Sequence, residues 1–218
     1  MLIEEARWFR RHIAELPNEA LFPMLNVGSS TEDFRVRKQP WIDEHIFAPA
    51  RERGGRIVHL DLKRAPGVDV VGDLADPDIR RTLIALGVRS VVCSNLLEHV
   101  PDRAGICDPL IELLPPSGHL LVSCPNRYPK HDDPFDNGFR PTIGDLQSLF
   151  PGAEMLAAET VAGGTYYDAL GRSPRRLARE LVRACLPFYA PGRWLGTVRH
   201  LAWLNRAFAA TCVSLRKR

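Results

Sequence analysis

Short apolar runs that stop at a glycine or a polar side chain alternate along the chain with stretches whose apolar positions recur every three or four residues. Five runs come first: Met24–Val27, Arg56–Asp61, Val68–Asp73, Ser90–Asn95 and His119–Cys124. Two more, Ala153–Val161 and Phe208–Leu215, close the chain. Runs of this kind, bounded by turn residues, read as strands, the early ones buried on both faces. The periodic stretches read as amphipathic helices. Residues 2–16 carry Ile3, Ala6, Trp8, Phe9, Ile13 and Leu16 near helical spacing, with Glu4, Glu5, Arg10 and Arg11 between them. After a long connection, Glu32–Gln39, a helix opens at Pro40 with Trp41, Ile42, Ile46 and Phe47 on its buried side and stops at Gly54-Gly55. Others run from Pro77, capped by Asp76, over Asp108–Leu114, and from Thr142, where Asp145 completes a capping box. The alternation selects an α/β architecture, with a mostly parallel sheet and right-handed crossovers.

Composition adds little to this and charge adds more. Apolar residues at 45% and charged residues at 25% are ordinary for a globular chain of 218 residues, enough for one domain with an accessory part. The five cysteines are scattered singly, with no C-x-x-C pair, and read as buried thiols in a reducing compartment. Acids and arginines interrupt the first sixteen residues, which predicts neither an export signal nor a membrane span there, and a cytoplasmic protein. The net charge of +3 conceals an asymmetry: from Arg172 onward there are eleven Lys or Arg and one acid, Glu180. That segment fits an anionic partner or a solvated basic face. Within it, Pro174–Cys185, capped by Ser173, puts Leu177, Leu181, Ala184 and Cys185 on one helical face and Arg175, Arg179 and Arg183 on another. Arg193–Asn205 is a second helical pattern, with Trp194, Leu195, Val198, Leu201 and Leu204. The two read as helices covering the sheet, as a lid, or as a surface approaching lipid headgroups.

Candidate chemistry gathers where strands end. In an open parallel sheet, ligands bind outside the carboxyl ends of the strands. The first run ends in Gly28-Ser29-Ser30-Thr31, a turn where backbone and hydroxyls can approach a ligand. The next three deliver Asp61, Asp73 and Asn95 to the same edge. An acid at Asp61 is placed to accept ribose hydroxyls, and one at Asp73 an exocyclic amine. His99, a turn past the fourth strand, is a general-base candidate or a histidine hydrogen-bonded at a helix start. Between Asn126 and Arg140 lies a polar, proline-rich loop with Tyr128, His131, Asp133, Asp136 and Arg140. His131, Asp133 and Asp136 carry the donor types of a divalent-cation site but lack a further ligand, so the loop reads as an acceptor-positioning segment and no metal is expected.

Taken in order, LNVGSS, HLDLK, VVGDLAD, SVVCSNLLEHVPD and LLPPSGHLLVSCPN make residues 24–150 resemble the class I S-adenosylmethionine-dependent methyltransferases, in their small-molecule and glycan-modifying form. The resemblance implies a Rossmann-like seven-stranded sheet of order 3-2-1-4-5-7-6 with the last strand antiparallel, helices on both faces, and a helical insertion before that strand. It implies S-adenosyl-L-methionine as cofactor, held by Asn26, Gly28 and Ser29 at the methionine part, Asp61 with Leu62 at the ribose and adenine, Asp73 with Leu74 at the adenine edge, and Asn95 with Leu96 at the floor. His99 and His131 are then candidate catalytic residues, and Tyr128, His131, Asp133 and Arg140 candidate acceptor contacts. The chain departs from the family pattern at Asn26, where an acid is usual, at Ser29–Thr31, where further glycines are usual, and in the length from Gly28 to Asp61. Across that extra length, Arg35 is a candidate to meet the cofactor's carboxylate.

The expected organisation is one domain, 1–218, with a cofactor-binding core at 20–165 and a helical, basic lid or accessory subdomain at 166–206. The expected function is methyl transfer to a small-molecule or glycan acceptor, oxygen preferred, with an anionic or lipid-linked acceptor and peripheral contact with an anionic membrane through 172–206 as further possibilities. A nicotinamide oxidoreductase is disfavoured by the lack of G-x-G-x-x-G at the turn. An RNA methyltransferase is disfavoured because SNLL follows the fourth strand and the basic segments carry few aromatics for stacking. A non-catalytic binding module on a degenerate methyltransferase fold is the remaining alternative.

Overall fold

The computed structural model describes residues 1–130, 135–188 and 191–218. In chain order its elements are α1 Ile3–Glu15, α2 Asn18–Leu21, β1 Met24–Val27, α3 Ala48–Glu52, β2 Ile57–Asp61, β3 Val70–Val71, α4 Pro77–Ala85, β4 Ser90–Ser94, α5 Ala104–Glu112, β5 His119–Arg127, α6 Ile143–Ser148, β6 Ala153–Ala162, α7 Tyr166–Ala169, α8 Pro174–Ala184, α9 Pro191–Leu201 and β7 Ala209–Lys217. The seven strands form one sheet of order β3-β2-β1-β4-β5-β7-β6, and β7 runs antiparallel to both neighbours.

The sheet is covered on both faces because successive residues of each strand point to opposite sides. Leu25 and Val27, Val91 and Cys93, Leu120 and Val122 enter one apolar cluster, in which Leu83 of α4, Leu110 of α5 and Leu146 of α6 also sit. Met24, Val92 and Leu121 enter the other, with Trp8, Phe9 and Ile13 of α1 and Ile46 and Phe47. The caps read from the sequence form: Asp76 accepts from the Asp78 amide at 2.8 Å, and Thr142 and Asp145 close a reciprocal capping box.

Several elements differ from expectation. The connection from Glu32 to Gln39 winds into a wide turn at Phe34–Lys38, closed by a Gln39 N–H to Phe34 carbonyl bond, and a second follows at Asp43–Phe47. The helix expected from Pro40 is present as one continuous run over residues 41–52, in which the wide turn at Asp43–Phe47 passes directly into α3 and its Pro49. α5 starts four residues before Asp108 and holds Pro109 in its interior. β3 is only two residues long. Cys185 is exposed, unlike the other four cysteines. α8 turns Leu177, Glu180 and Ala184 inward, and Leu181 and Cys185 lie outward instead of on a buried face. Glu5, read as one of the charged positions between the apolar ones of α1, is buried.

Candidate functional site

The parallel register puts the ends of β1, β2, β3 and β4 side by side. Val27 is paired with Leu60 on one flank and Cys93 on the other, and Asp61 with Val71. The Gly28 turn therefore emerges between Asp61 and Ser94. Gly28 has φ +66°, and a Cβ there would lie 2.9 Å from Leu96 Cδ1, so a larger residue would strain the backbone and push Leu96 aside. Ser29 donates its N–H to the Leu60 carbonyl at 2.9 Å, and Ser30, itself left-handed at φ +54°, donates its N–H to Asp61 Oδ2 at 2.7 Å. Asp61 Oδ1 accepts the Lys63 amide, and Asp73 Oδ1 accepts the Ala75 amide, each about one hydrogen-bond length away at 3.0 and 2.9 Å. Each carboxylate keeps lone pairs for a ligand.

Leu62 is 69% exposed directly beyond Asp61, and Leu74 is buried beside the exposed Asp73. Asn26 is buried and its Nδ2 lies 3.1 Å from His59 Nδ1. His59 is pushed down to about 4, chiefly by burial and next by the charge of Arg35, so the ring is neutral and its Nδ1 accepts from Asn26. Arg35, proposed from the sequence as a carboxylate partner, is buried and donates to the carbonyls of Ser29 and Ser30 at 2.8 Å each and of Gly67 at 2.7 Å. It ties the glycine turn to the β2–β3 loop. The extra length between Gly28 and Asp61 supplies this brace, which the sequence did not reveal because the carbonyls it serves lie in two separate turns.

At the next strand ends, Asn95 stands in the left-handed region, φ +49°, and its backbone N–H bonds the Ser123 carbonyl. Its side chain donates to Glu5 Oε1 at 2.7 Å, and the Ser123 hydroxyl donates to the same oxygen. Glu98, in the tight turn Leu97–His99, is buried. Its Oε2 takes the Cys124 thiol at 3.6 Å, and its Oε1 has no hydrogen-bond partner among the described residues. Burial raises its carboxyl to about 7. His99 Nε2 lies 3.7 Å from Glu98 Oε1 while Nδ1 faces the Phe135 carbonyl. Neither Glu5 nor Glu98 was singled out from the sequence; the buried position of an acid next to His99 was the only available signal for the second.

The segment 135–140 spans from this turn to the exit of β5. Asn137 donates its N–H to the Glu98 carbonyl and its side chain to the carbonyls of Leu97 and Val100. Arg140 pairs with buried Asp136 through both terminal nitrogens and donates Nε to the Tyr128 carbonyl at 3.2 Å. Much of the Arg140 fork is thus engaged within its own loop. Tyr128 packs on Phe208 at 4.8 Å between ring centroids, and burial pushes its hydroxyl above the usual range. His131 and Asp133 lie outside the described residues. Among the described residues no three His, Cys, Asp or Glu side chains are grouped to hold a metal ion.

A sheet of this order with a glycine turn and acidic strand ends on one edge is the class I S-adenosylmethionine-dependent methyltransferase fold. Comparisons with known proteins agree. The chain is 48% identical over 98 residues to a ubiquinone biosynthesis O-methyltransferase of Marinobacter nauticus, covering 36% of this chain and 38% of that protein. It is 31% identical over 118 residues to the Xylella fastidiosa protein of the same name, covering 54% and 40%. The chain therefore spans about two fifths of the length of these curated relatives. A solved coclaurine N-methyltransferase, bound to N-methylheliamine and S-adenosylhomocysteine, superposes with a TM-score of 0.57 at 12% identity over 97% of this chain and 69% of that one. No family model matches the chain.

Proposed function

We propose that the protein is an S-adenosylmethionine-dependent methyltransferase acting on an oxygen of a small-molecule acceptor. The observation that supports this most is the pairing of β2 with β3, which carry Asp61 and Asp73 at or just past their carboxyl ends, beside the left-handed Gly28 turn. The residues present fit the cofactor: a Cβ at Gly28 would intrude on Leu96, Asp61 and Asp73 retain acceptor capacity, and Leu62 next to Asp61 is an uncovered apolar side chain. In this reading Asp61 takes the ribose hydroxyls, Leu62 and Leu74 flank the adenine, Asp73 takes its amine, and Asn26, Gly28, Ser29, Asn95 and Leu96 line the methionine end. When bound, the cofactor supplies an electrophilic methyl group on sulfur.

The chain's own part is placement and proton acceptance. Much of the rate of such a transfer comes from holding the acceptor in line in a site shielded from water. His99 and the neighbouring Glu98, raised to about 7, are assigned to take the proton from the acceptor hydroxyl. Tyr128, His131, Asp133 and Arg140 are assigned to the acceptor side, and His131 is a further acid–base candidate. Residues 1–218 form one domain, 20–165 its cofactor core and 166–206 a basic accessory part.

Within that part Leu181, Val182, Leu186 and Phe188 are exposed close to Arg175, Arg176 and Arg179. We assign this face to peripheral contact with anionic headgroups, which would suit a lipid-linked acceptor; no helix of the described residues is long and apolar enough to cross a membrane. Co-sedimentation with phosphatidylglycerol vesicles but not with phosphatidylcholine vesicles tests it, and equal sedimentation with both rejects it. The main reading is tested by calorimetry and radiolabel transfer. S-adenosylhomocysteine should bind and NAD should not, and the labelled methyl group should pass to a phenolic or sugar hydroxyl; absence of binding at millimolar concentration rejects the reading and favours a non-catalytic module.

A further inference from the structure

Glu5 is the one acid of α1 that is removed from solvent, at 1% exposure. Capping explains half of its bonding: Oε2 accepts the Leu2 N–H at 2.9 Å and closes the start of its own helix. Capping does not explain Oε1. That oxygen reaches the turn just past β4 and the level of β5 that pairs with the last residue of β4, where it accepts from Asn95 Nδ2 and Ser123 Oγ, residues 90 and 118 positions away in sequence. Both partners belong to the edge described above. Asn95 holds a left-handed backbone between Ser94 and Leu96, and Leu96 in turn lies against Gly28. A non-glycine residue stays in that conformation only where its surroundings hold it.

A second carboxylate stands nearby. The groups around Glu98 are His99 on its own turn, Cys93 of β4, Cys124 of β5 and Glu5 of α1. All three partners of Glu5 place a donor on its carboxyl oxygens. A negative charge there opposes a second one on Glu98.

We propose that Glu5 is a positioning residue of the methyl-transfer site: from the first helix it holds the Asn95 turn that floors the cofactor and couples that turn to Glu98. The consequence for the protein is that α1 is coupled to the chemistry, and anything that lifts its N-terminus would act on the Asn95 turn and on Glu98 together. Burial contributes most of the rise at Glu98 and the Glu5 charge a smaller part of it. The bond to Asn95 carries the positioning role independently.

The inference rests on the methyltransferase reading for its cofactor half, so the test has two arms. In carbon-13 carboxylate NMR of the free protein, with Glu98 assigned through Glu98→Gln, the Glu98 titration midpoint should move to lower pH in Glu5→Gln. In calorimetry, Glu5→Ala should weaken S-adenosylhomocysteine about tenfold, because the Asn95 and Ser123 donors are left buried without an acceptor. Ser123→Ala, which leaves the helix cap intact, should show a smaller loss of the same sign and keeps the arm readable if Glu5→Ala does not fold. An unmoved midpoint in folded Glu5→Gln, or affinity within twofold of wild type in Glu5→Ala and Ser123→Ala, overturns the proposal. A wild type that binds no S-adenosylhomocysteine while the midpoint still moves overturns the methyltransferase reading and leaves the Glu5–Glu98 coupling standing.

Discussion

The Ser30 amide donates to the Asp61 carboxylate at 2.7 Å, joining the turn after β1 to the end of β2. One side chain thereby shapes the turn, and in the proposed site it would also serve the ligand, so the two roles would fail together.

Asp61→Ala should abolish measurable S-adenosylhomocysteine binding or weaken it at least tenfold in calorimetry. The variant loses an acceptor for the ligand and leaves the Ser30 and Lys63 amides without theirs. Asp61→Asn should fall between, since its amide oxygen can still accept from Ser30. Equal affinity in all three proteins would remove Asp61 from the site.

Arg35→Ala should lower stability by roughly 3 kcal/mol in urea unfolding, because a charged donor set on three buried or half-buried carbonyls disappears. Arg35→Lys should recover only part of this, as a single ammonium cannot span the carbonyls of Ser29, Ser30 and Gly67 in the planar fork geometry. Binding of cofactor product should weaken in parallel, since the brace ends on the glycine turn.

Two buried groups set opposite pH trends. His59 has a folded value lowered from 6.5 to about 4, chiefly by burial, so its contribution is present above 6.5 and is lost as pH falls through about 4. The shift corresponds to roughly 3 kcal/mol at about 1.4 kcal/mol per unit. Glu98 has a folded value raised from 4.5 to about 7, so its protonated form favours the fold below 4.5 and that contribution is lost as pH rises through about 7. Thermal unfolding from pH 4 to 8 should show a flatter acid limb in His59→Gln and a flatter decline between pH 4.5 and 7 in Glu98→Gln. A variant that tracks wild type in both windows would show that these groups titrate normally.

The strand ends were legible because a parallel sheet fixes which end of each strand faces the ligand, and an acid closing an apolar run is visible in the sequence. Asp61, Asp73 and the sheet order all follow from that rule together with the motif resemblance. Glu5 and Arg35 were not legible in the roles they take. In α1 an acid beside Glu4 carries no mark of burial, and what buries it lies on β4 and β5. Arg35 was read toward a ligand because its carbonyl partners come from turns whose conformations no local pattern gives. The apolar face assigned to α8 failed for a related reason: a helix rich in arginine with Leu181 and Val182 has two defensible inner faces, and packing against α9 selects the one holding Glu180, which bonds Arg183 at 3.0 Å.

Gly28→Ala tests the tightest steric statement in the site. Alanine at φ +66° costs about 1–2 kcal/mol for the left-handed backbone. Its methyl group would also meet Leu96 Cδ1 at 2.9 Å, so Leu96 must shift or the turn must open. Melting should therefore fall by several degrees, and, if the turn faces the cofactor as proposed, affinity for S-adenosylhomocysteine should fall as well. The double variant Gly28→Ala with Leu96→Ala separates the two contributions. It should relieve the contact while leaving the backbone penalty, so a double variant as unstable as the sum of its parts would show that Leu96 does not press on the turn.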